Sequence, residues 1–270
     1  MTTTATMPSG PRPRAEIPAK TLRTDRWWLS PLLTVLGLTA WVAYAMTHVL
    51  MQKWYFSIGD HYQYLTPFYS PCTSTLCDPR VAEFGRFTPG AVLIPFAALS
   101  LPFLGLFRLT CYYYRKAYYR SFWLSPPACA VPDGHKRYTG ETRFPLVFQN
   151  LHRYAFYAAV VISLINTWDA LVSFHGPKGF GFGLGNLVLL TNVVLLWAYT
   201  LSCHSCRHIT GGRLKHFSKH PLRYRFWLFV SKLNARHMLL AWVTLGSLAL
   251  TDFYVMAVSA QWISDLRFIG

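Results

Sequence analysis

Six cysteines and ten histidines are the residues of this 270-residue chain best suited to chemistry, and they are unevenly spaced. The densest group is Cys203-His204-Ser205-Cys206-Arg207-His208. On a continuous helix its C-x-x-C would set two sulfurs roughly 60° apart on one face, an arrangement suited to holding a metal. His204 and His208 would line a neighbouring face. His152, in Asn150-Leu-His-Arg-Tyr154, and His237, in Asn234-Ala-Arg-His-Met238, are expected at the same depth on other helices. Cys111 and Cys129 are two further thiols on that side, while Cys72 and Cys77 stand apart in Ser70-Pro-Cys-Thr-Ser-Thr-Leu-Cys77. Four chemistries use such residues. A closed Cys/His site is most often structural zinc. Haem b needs two facing axial histidines, for which His48 and His175 are the pair on offer. A thiol–quinone oxidoreductase would use Cys203 and Cys206. Mixed Cys₂His₂ ligation suits a Rieske-type [2Fe–2S] centre, in which imidazole replaces thiolate on one iron and raises the reduction potential. The last is the reading adopted, with Cys203 and Cys206 on one iron and His152 and His237 on the other.

These residues must be held by a membrane bundle. Apolar residues make up 53% of the chain and charged residues only 13%, too few to cover a soluble protein of this size. An aromatic share of 17% excludes a disordered basic tail, and six cysteines are too sparse for a disulfide scaffold. Leu29 to Leu50 carries no charge and, at helical rise, is long enough to cross a bilayer. Further spans are expected over Pro89 to Thr110, Leu151 to Phe174, Leu184 to Ser202 and Met238 to Trp262. The fold class is therefore an all-α integral membrane bundle of five helices over residues 27–270, preceded by a disordered cytoplasmic tail at 1–26. Gly176 to Gly185 reads as a tight external turn.

Basic residues orient the bundle. The tail, Arg108 to Arg153 and Arg207 to Arg236 together hold 21 of the 26 Lys and Arg, against five in the alternate connections. By the positive-inside rule the N-terminus is cytoplasmic and the C-terminus external. The looped pair Cys72 and Cys77 then faces an oxidising exterior, where a disulfide is expected, and the other four cysteines face a reducing interior. The inner connections are rich in Tyr, Phe and Trp as well as charge. Arg115 to Arg143 and Arg207 to Arg225 thus read as a docking face for a soluble partner, with headgroup attraction as the simpler role. No nucleic-acid-binding fold accompanies the charge. A quinone pocket is expected on this side, with Trp123, Arg153, Tyr154 and Arg236 as donors and walls.

Four stretches carry a family likeness: Cys111-Tyr-Tyr-Tyr-Arg-Lys-Ala-Tyr-Tyr-Arg120, Tyr138-Thr-Gly-Glu-Thr-Arg-Phe-Pro145, Cys203-His-Ser-Cys-Arg-His208 and Ser231-Lys-Leu-Asn-Ala-Arg-His237. From about residue 25 onward the chain resembles the membrane-anchor subunit of an actinobacterial succinate dehydrogenase. The resemblance implies a subunit with no autonomous catalytic site, docked to a flavoprotein carrying FAD and to an iron–sulfur protein with its own clusters. It implies electron transfer from succinate to menaquinone near the cytoplasmic face of a bacterial plasma membrane, with a higher oligomer as a further option. Many such anchors hold two b haems on their first four helices. Here Cys111 and the Cys/His group stand at the ends of spans two and four, which favours an iron–sulfur centre over haem at the inner position.

Overall fold

Apolar length dictates the main elements. The structure, a computed structural model, describes residues 23–72, 77, 100–134, 143–212 and 214–270. Among them, four helices are long and apolar enough to cross a membrane: α1 (Leu29–Met51), the Asn150–Val172 part of α4 (Arg143–Val172), α5 (Leu184–Leu201) and α8 (His237–Ser259). The first half of the expected second span falls outside the described residues, and its end is seen as α2 (Leu101–Leu109). The tail is likewise outside the description up to residue 22, as is most of the Tyr138 to Pro145 stretch.

The basic connections are more structured than a reading as plain loops would suggest. They form α3 (Tyr112–Ser121), α6 (His204–Gly211) and α7 (Pro221–Asn234). The opposite end adds short strands that the all-α reading lacked: β1 (Phe56–Gly59) with β2 (Tyr62–Leu65), β3 (His175–Gly176) with β4 (Gly179–Phe180), and β5 (Phe182–Gly183) with β6 (Arg267–Ile269), each pair antiparallel. The Gly176 to Gly185 stretch is the β3–β4 turn and β5, so the tight turn expected there is present.

Helix faces are sorted as in lipid. On α4 the buried residues include Ala155, Ala159, Ser163, Asn166, Asp169 and Ala170, with Phe156 and Ile162 beside them, while Tyr157, Val161, Leu164, Trp168 and Leu171 are exposed. Small and polar residues thus make up most of the buried face and the exposed face is large and apolar, as expected where helices pack within a membrane. α5 packs between α4 and α8, and α2 lies on α4.

α1 is the least buried of the four spans and is held by polar ties to α8. Trp41 donates to the Leu245 carbonyl at 2.9 Å, and Tyr44 donates to Asp252 at 2.7 Å. His48 Nδ1 meets the Asp252 carboxylate at 2.5 Å and its Nε2 meets the Lys53 carbonyl at 3.1 Å. Both ring nitrogens are therefore engaged by these partners. This removes His48 from the haem reading, because neither nitrogen is free for iron and His175 is exposed on the β3 turn. The expected disulfide between Cys72 and Cys77 is present.

Asp252→Ala leaves the buried His48 Nδ1 and the Tyr44 hydroxyl without the carboxylate they share. The expected cost is about 3–5 kcal/mol, read as a fall in the unfolding temperature of the detergent-solubilised protein. Asp252→Asn keeps an acceptor for Tyr44 and should lose less, and an unchanged unfolding temperature in Asp252→Ala would contradict the assignment.

Candidate metal centre and adjoining cleft

Two helix ends build the site in the same way. α2 ends in Phe107-Arg108-Leu109-Thr110-Cys111 and α5 ends in Tyr199-Thr200-Leu201-Ser202-Cys203. In both, the hydroxyl residue caps the finished helix, and the cysteine turns to extended backbone and caps the start of the next, α3 or α6. Each hydroxyl turns back on its own helix: Thr110 donates to the Leu106 carbonyl at 2.8 Å and Ser202 to the Tyr199 carbonyl at 2.7 Å.

With its proton committed, each hydroxyl can only accept from a histidine. Thr110 takes the Nδ1–H of His152 at 2.7 Å, and Ser202 takes the Nδ1–H of His237 at 2.6 Å. The tautomer follows from these partners: each neutral ring presents the lone pair of Nε2. That lone pair faces a thiol in both cases, Cys203 Sγ at 3.0 Å from His152 and Cys111 Sγ at 3.4 Å from His237. The pairing is crossed, since each histidine is held by one helix end and faces the cysteine of the other. An aromatic ring three residues before each hydroxyl completes the set. Phe107 stacks on His152 at 4.9 Å and Tyr199 on His237 at 5.1 Å. All four donor residues are buried.

The C-x-x-C does not lie on one helical face as expected. The chain leaves the helix at Ser202, so Cys203 sits outside α6 as its cap, its sulfur accepting the Ser205 N–H at 3.3 Å, whereas Cys206 lies within α6. Cys206 is buried in the same core cluster, but neither imidazole is directed at it. The structure therefore brings His152, His237 and Cys203 together with Cys111. Among the described residues no three His, Cys, Asp or Glu side chains converge on one metal ion. The four donors form two pairs, which is a poor cage for a single tetrahedral zinc.

Burial also sets the thiol chemistry. It pushes the Cys203 thiol up to about 12 and Cys206 up to about 11, and raises Cys111 as well. Thiol oxidoreductases need the opposite, a depressed thiol, so Cys203 and Cys206 do not make a reactive dithiol.

A cleft of about 780 Å³ opens beside the centre, lined in part by His152, His237, Tyr113, Arg153, Tyr154 and His208. Arg153 reaches His208 Nδ1 at 3.3 Å, and the Tyr113 ring lies 5.3 Å from that of His237. Of the expected quinone residues, Arg153 and Tyr154 line this cleft. Trp123, after α3, and Arg236, which caps α8, are exposed and do not line it. Sequence reading weighted the C-x-x-C over Cys111, and missed Thr110, Ser202 and Tyr113. The signal that finds them is the repeated pattern of aromatic-x-Leu-(Thr/Ser)-Cys at two helix ends.

The described residues thus form a helical bundle whose long apolar helices suit a membrane and whose basic end holds buried His and Cys side chains. The family model for the actinobacterial succinate dehydrogenase subunit SdhC matches residues 29–261, and the chain belongs to that family. It is a multi-pass protein of the bacterial plasma membrane. Its structure is similar to a chain of the Mycobacterium smegmatis Sdh1 complex in the apo form, with 64% identity, a TM-score of 0.85, and cover of 98% of this chain and 100% of that one. Comparison with curated proteins gives no match.

In chelator-treated protein, exposed Cys129 should be alkylated first at neutral pH, with Cys203 and Cys206 protected. Because their thiols are raised, labelling of both should keep climbing about tenfold per pH unit beyond pH 9, whereas an ordinary thiol near 8.5 levels off. A plateau for Cys203 below pH 9 would contradict this.

Proposed function

We propose that this chain anchors the flavoprotein and iron–sulfur subunits of a succinate dehydrogenase. It would pass their electrons to menaquinone through a Rieske-type [2Fe–2S] centre held between the two helix ends. The observation that carries the reading is the crossed arrangement of Cys111, Cys203, His152 and His237. Such a centre takes two thiolates and two imidazoles, and these four side chains supply that donor set. Ligating histidines also fix Nδ1 by hydrogen bond while offering Nε2, as Thr110 and Ser202 make these two rings do. The donor set thus fits the group by chemistry and by tautomer, with Cys111 taking the place first given to Cys206. When bound, the group carries one electron at a time between the partner's clusters and the quinone.

The protein's own residues supply the rest. Tyr113 and Arg153 are placed to hydrogen-bond quinone carbonyl oxygens in the cleft, and Tyr154 offers an apolar wall at its lipid-exposed edge. Full reduction of the quinone consumes two electrons and two protons, and His204 and His208 line the side of the cleft from which water can deliver protons. The helices beside it suit docking. Arg223 donates to the Gly212 carbonyl at 2.9 Å and the Ile209 carbonyl at 3.2 Å, tying α7 to the end of α6. That leaves Tyr224, Phe226, Leu228 and Phe229 exposed on α7. Aromatic residues interleaved with arginine are the usual makings of an interface core. The basic asymmetry supports placing this face in the cytoplasm, in a five-span chain with its C-terminus outside.

Cys111→Ser and Cys203→Ser should each abolish a Rieske-like EPR signal in the purified complex and stop quinone reduction, while succinate oxidation by a soluble acceptor continues. Cys206→Ser should keep the signal. Thr110→Val or Ser202→Ala should weaken iron retention about 10–100-fold. A signal intact in both Cys111→Ser and Cys203→Ser would remove this ligand set.

A further inference from the structure

Arg108 breaks the near-repeat of the two helix ends. At the matching position of the second copy stands Thr200, so the first helix end alone carries a charge at this position. The guanidinium is buried, with 9% of the residue exposed. Its Nη1 donates to the Tyr114 hydroxyl at 2.6 Å and the Ala241 carbonyl at 3.2 Å, and Tyr114 passes its own proton to Ala241 at 2.7 Å. Nη2 is buried without a hydrogen-bond partner, and among the described residues no carboxylate pairs with Arg108. Two ring faces lie close by: the guanidinium carbon is 4.7 Å from the Tyr199 ring centre and 5.6 Å from that of Tyr114. Tyr199 stacks in turn on His237 at 5.1 Å, so the charge stands two ring steps from an imidazole of the centre.

A buried cation without an anion is expensive, and cation–π contacts offset only part of the cost. A carboxylate partner would relieve it but would also cancel the field of the charge. An arrangement of neutral acceptors and rings holds the cation in place and leaves its field directed at its surroundings. Arginine suits the task because it stays charged when buried. What then balances the charge is a neighbour that becomes more negative as it works.

We propose that Arg108 is the fixed positive charge that sets the reduction potential of the centre held by Cys111, Cys203, His152 and His237, an inference that rests on the assignment of that centre above. With two ferric ions, two sulfides and two thiolates, the oxidised site is neutral. One added electron makes it a monoanion, and no bond breaks and no proton moves. A cation at fixed distance stabilises the monoanion more than the neutral form, so reduction becomes easier. Among the described residues Arg108 makes no hydrogen bond to a ligand sulfur, and it acts as a positioning charge.

The test is a potentiometric EPR titration of the whole complex with dithionite as the electron source. Arg108→Gln should leave the g-values in place and lower the reduction equilibrium constant about tenfold or more, which is 59 mV for a one-electron couple. Arg108→Lys should stay close to the wild type. Tyr114→Phe, which removes the hydroxyl that holds the guanidinium, should move the potential in the same direction by less. An unchanged potential in Arg108→Gln with an intact signal would overturn the proposal. If Arg108→Gln fails to assemble, Tyr114→Phe decides: a lowered potential supports it and an unchanged one overturns it. Absence of any signal in the wild type would sink the assignment of the centre itself, a different outcome from a signal whose potential ignores Arg108.

Discussion

Two neutral imidazoles, each gripped at Nδ1 by a hydroxyl that has already spent its own proton, present their Nε2 lone pairs to two buried thiols. Neutral histidine has two tautomers, and only a partner that can accept but not donate selects the one with a free Nε2. The backbone supplies that partner by ending α2 and α5 one residue before a cysteine. The breaks between α2 and α3, and between α5 and α6, are therefore what the site requires. A continuous helix would carry Thr110 and Cys111, or Ser202 and Cys203, round its axis by about 100° per residue. The cap geometry instead lets the hydroxyl face one histidine and the thiol face the other.

The opposite end of the bundle keeps these helix ends in register. His48 and Asp252 lock α1 to α8, and the Cys72–Cys77 bridge closes the neighbouring connection. The small strands also tie the C-terminal residues to the start of α5. At the β5–β6 corner, Tyr64 and Tyr254 both donate to Asp265, at 2.8 and 2.7 Å, and Arg267 pairs with the same carboxylate at 3.0 Å. Asp252 and Asp265 are partnered locally at this end, which suits a scaffold, whereas the other end leaves lone pairs, thiols and one cation directed inward.

Much of the bundle was legible in the sequence, because apolar length and helical period are one-dimensional signals. The spans over α1, α5 and α8 fall within a few residues of their expected bounds. α3 and α7 were not legible as helices, because their mixture of Tyr, Arg, Trp and Phe has no clear apolar stripe. Their order comes from packing, as Arg207 over the Trp227 ring at 5.2 Å illustrates. His152 and His237 were expected together from their depth along the spans and Cys203 from the C-x-x-C, and the structure sets His152 beside Cys203. Cys111 was not chosen because local spacing points to Cys206, and spacing arguments assume that the helix continues. Ser202 ends it, and that single break separates the two thiols of the motif.

The central claim is that two histidines of this chain are bound to the electron-carrying centre. Pulsed EPR of the dithionite-reduced complex, prepared with ¹⁵N-labelled histidine and compared with unlabelled protein, tests it most directly. The account predicts two strongly coupled imidazole nitrogens that change isotope with the label, with one lost in His152→Cys and the other in His237→Cys. A signal with no histidine nitrogen coupling, or an optical spectrum showing haem in place of the iron–sulfur signal, would contradict it.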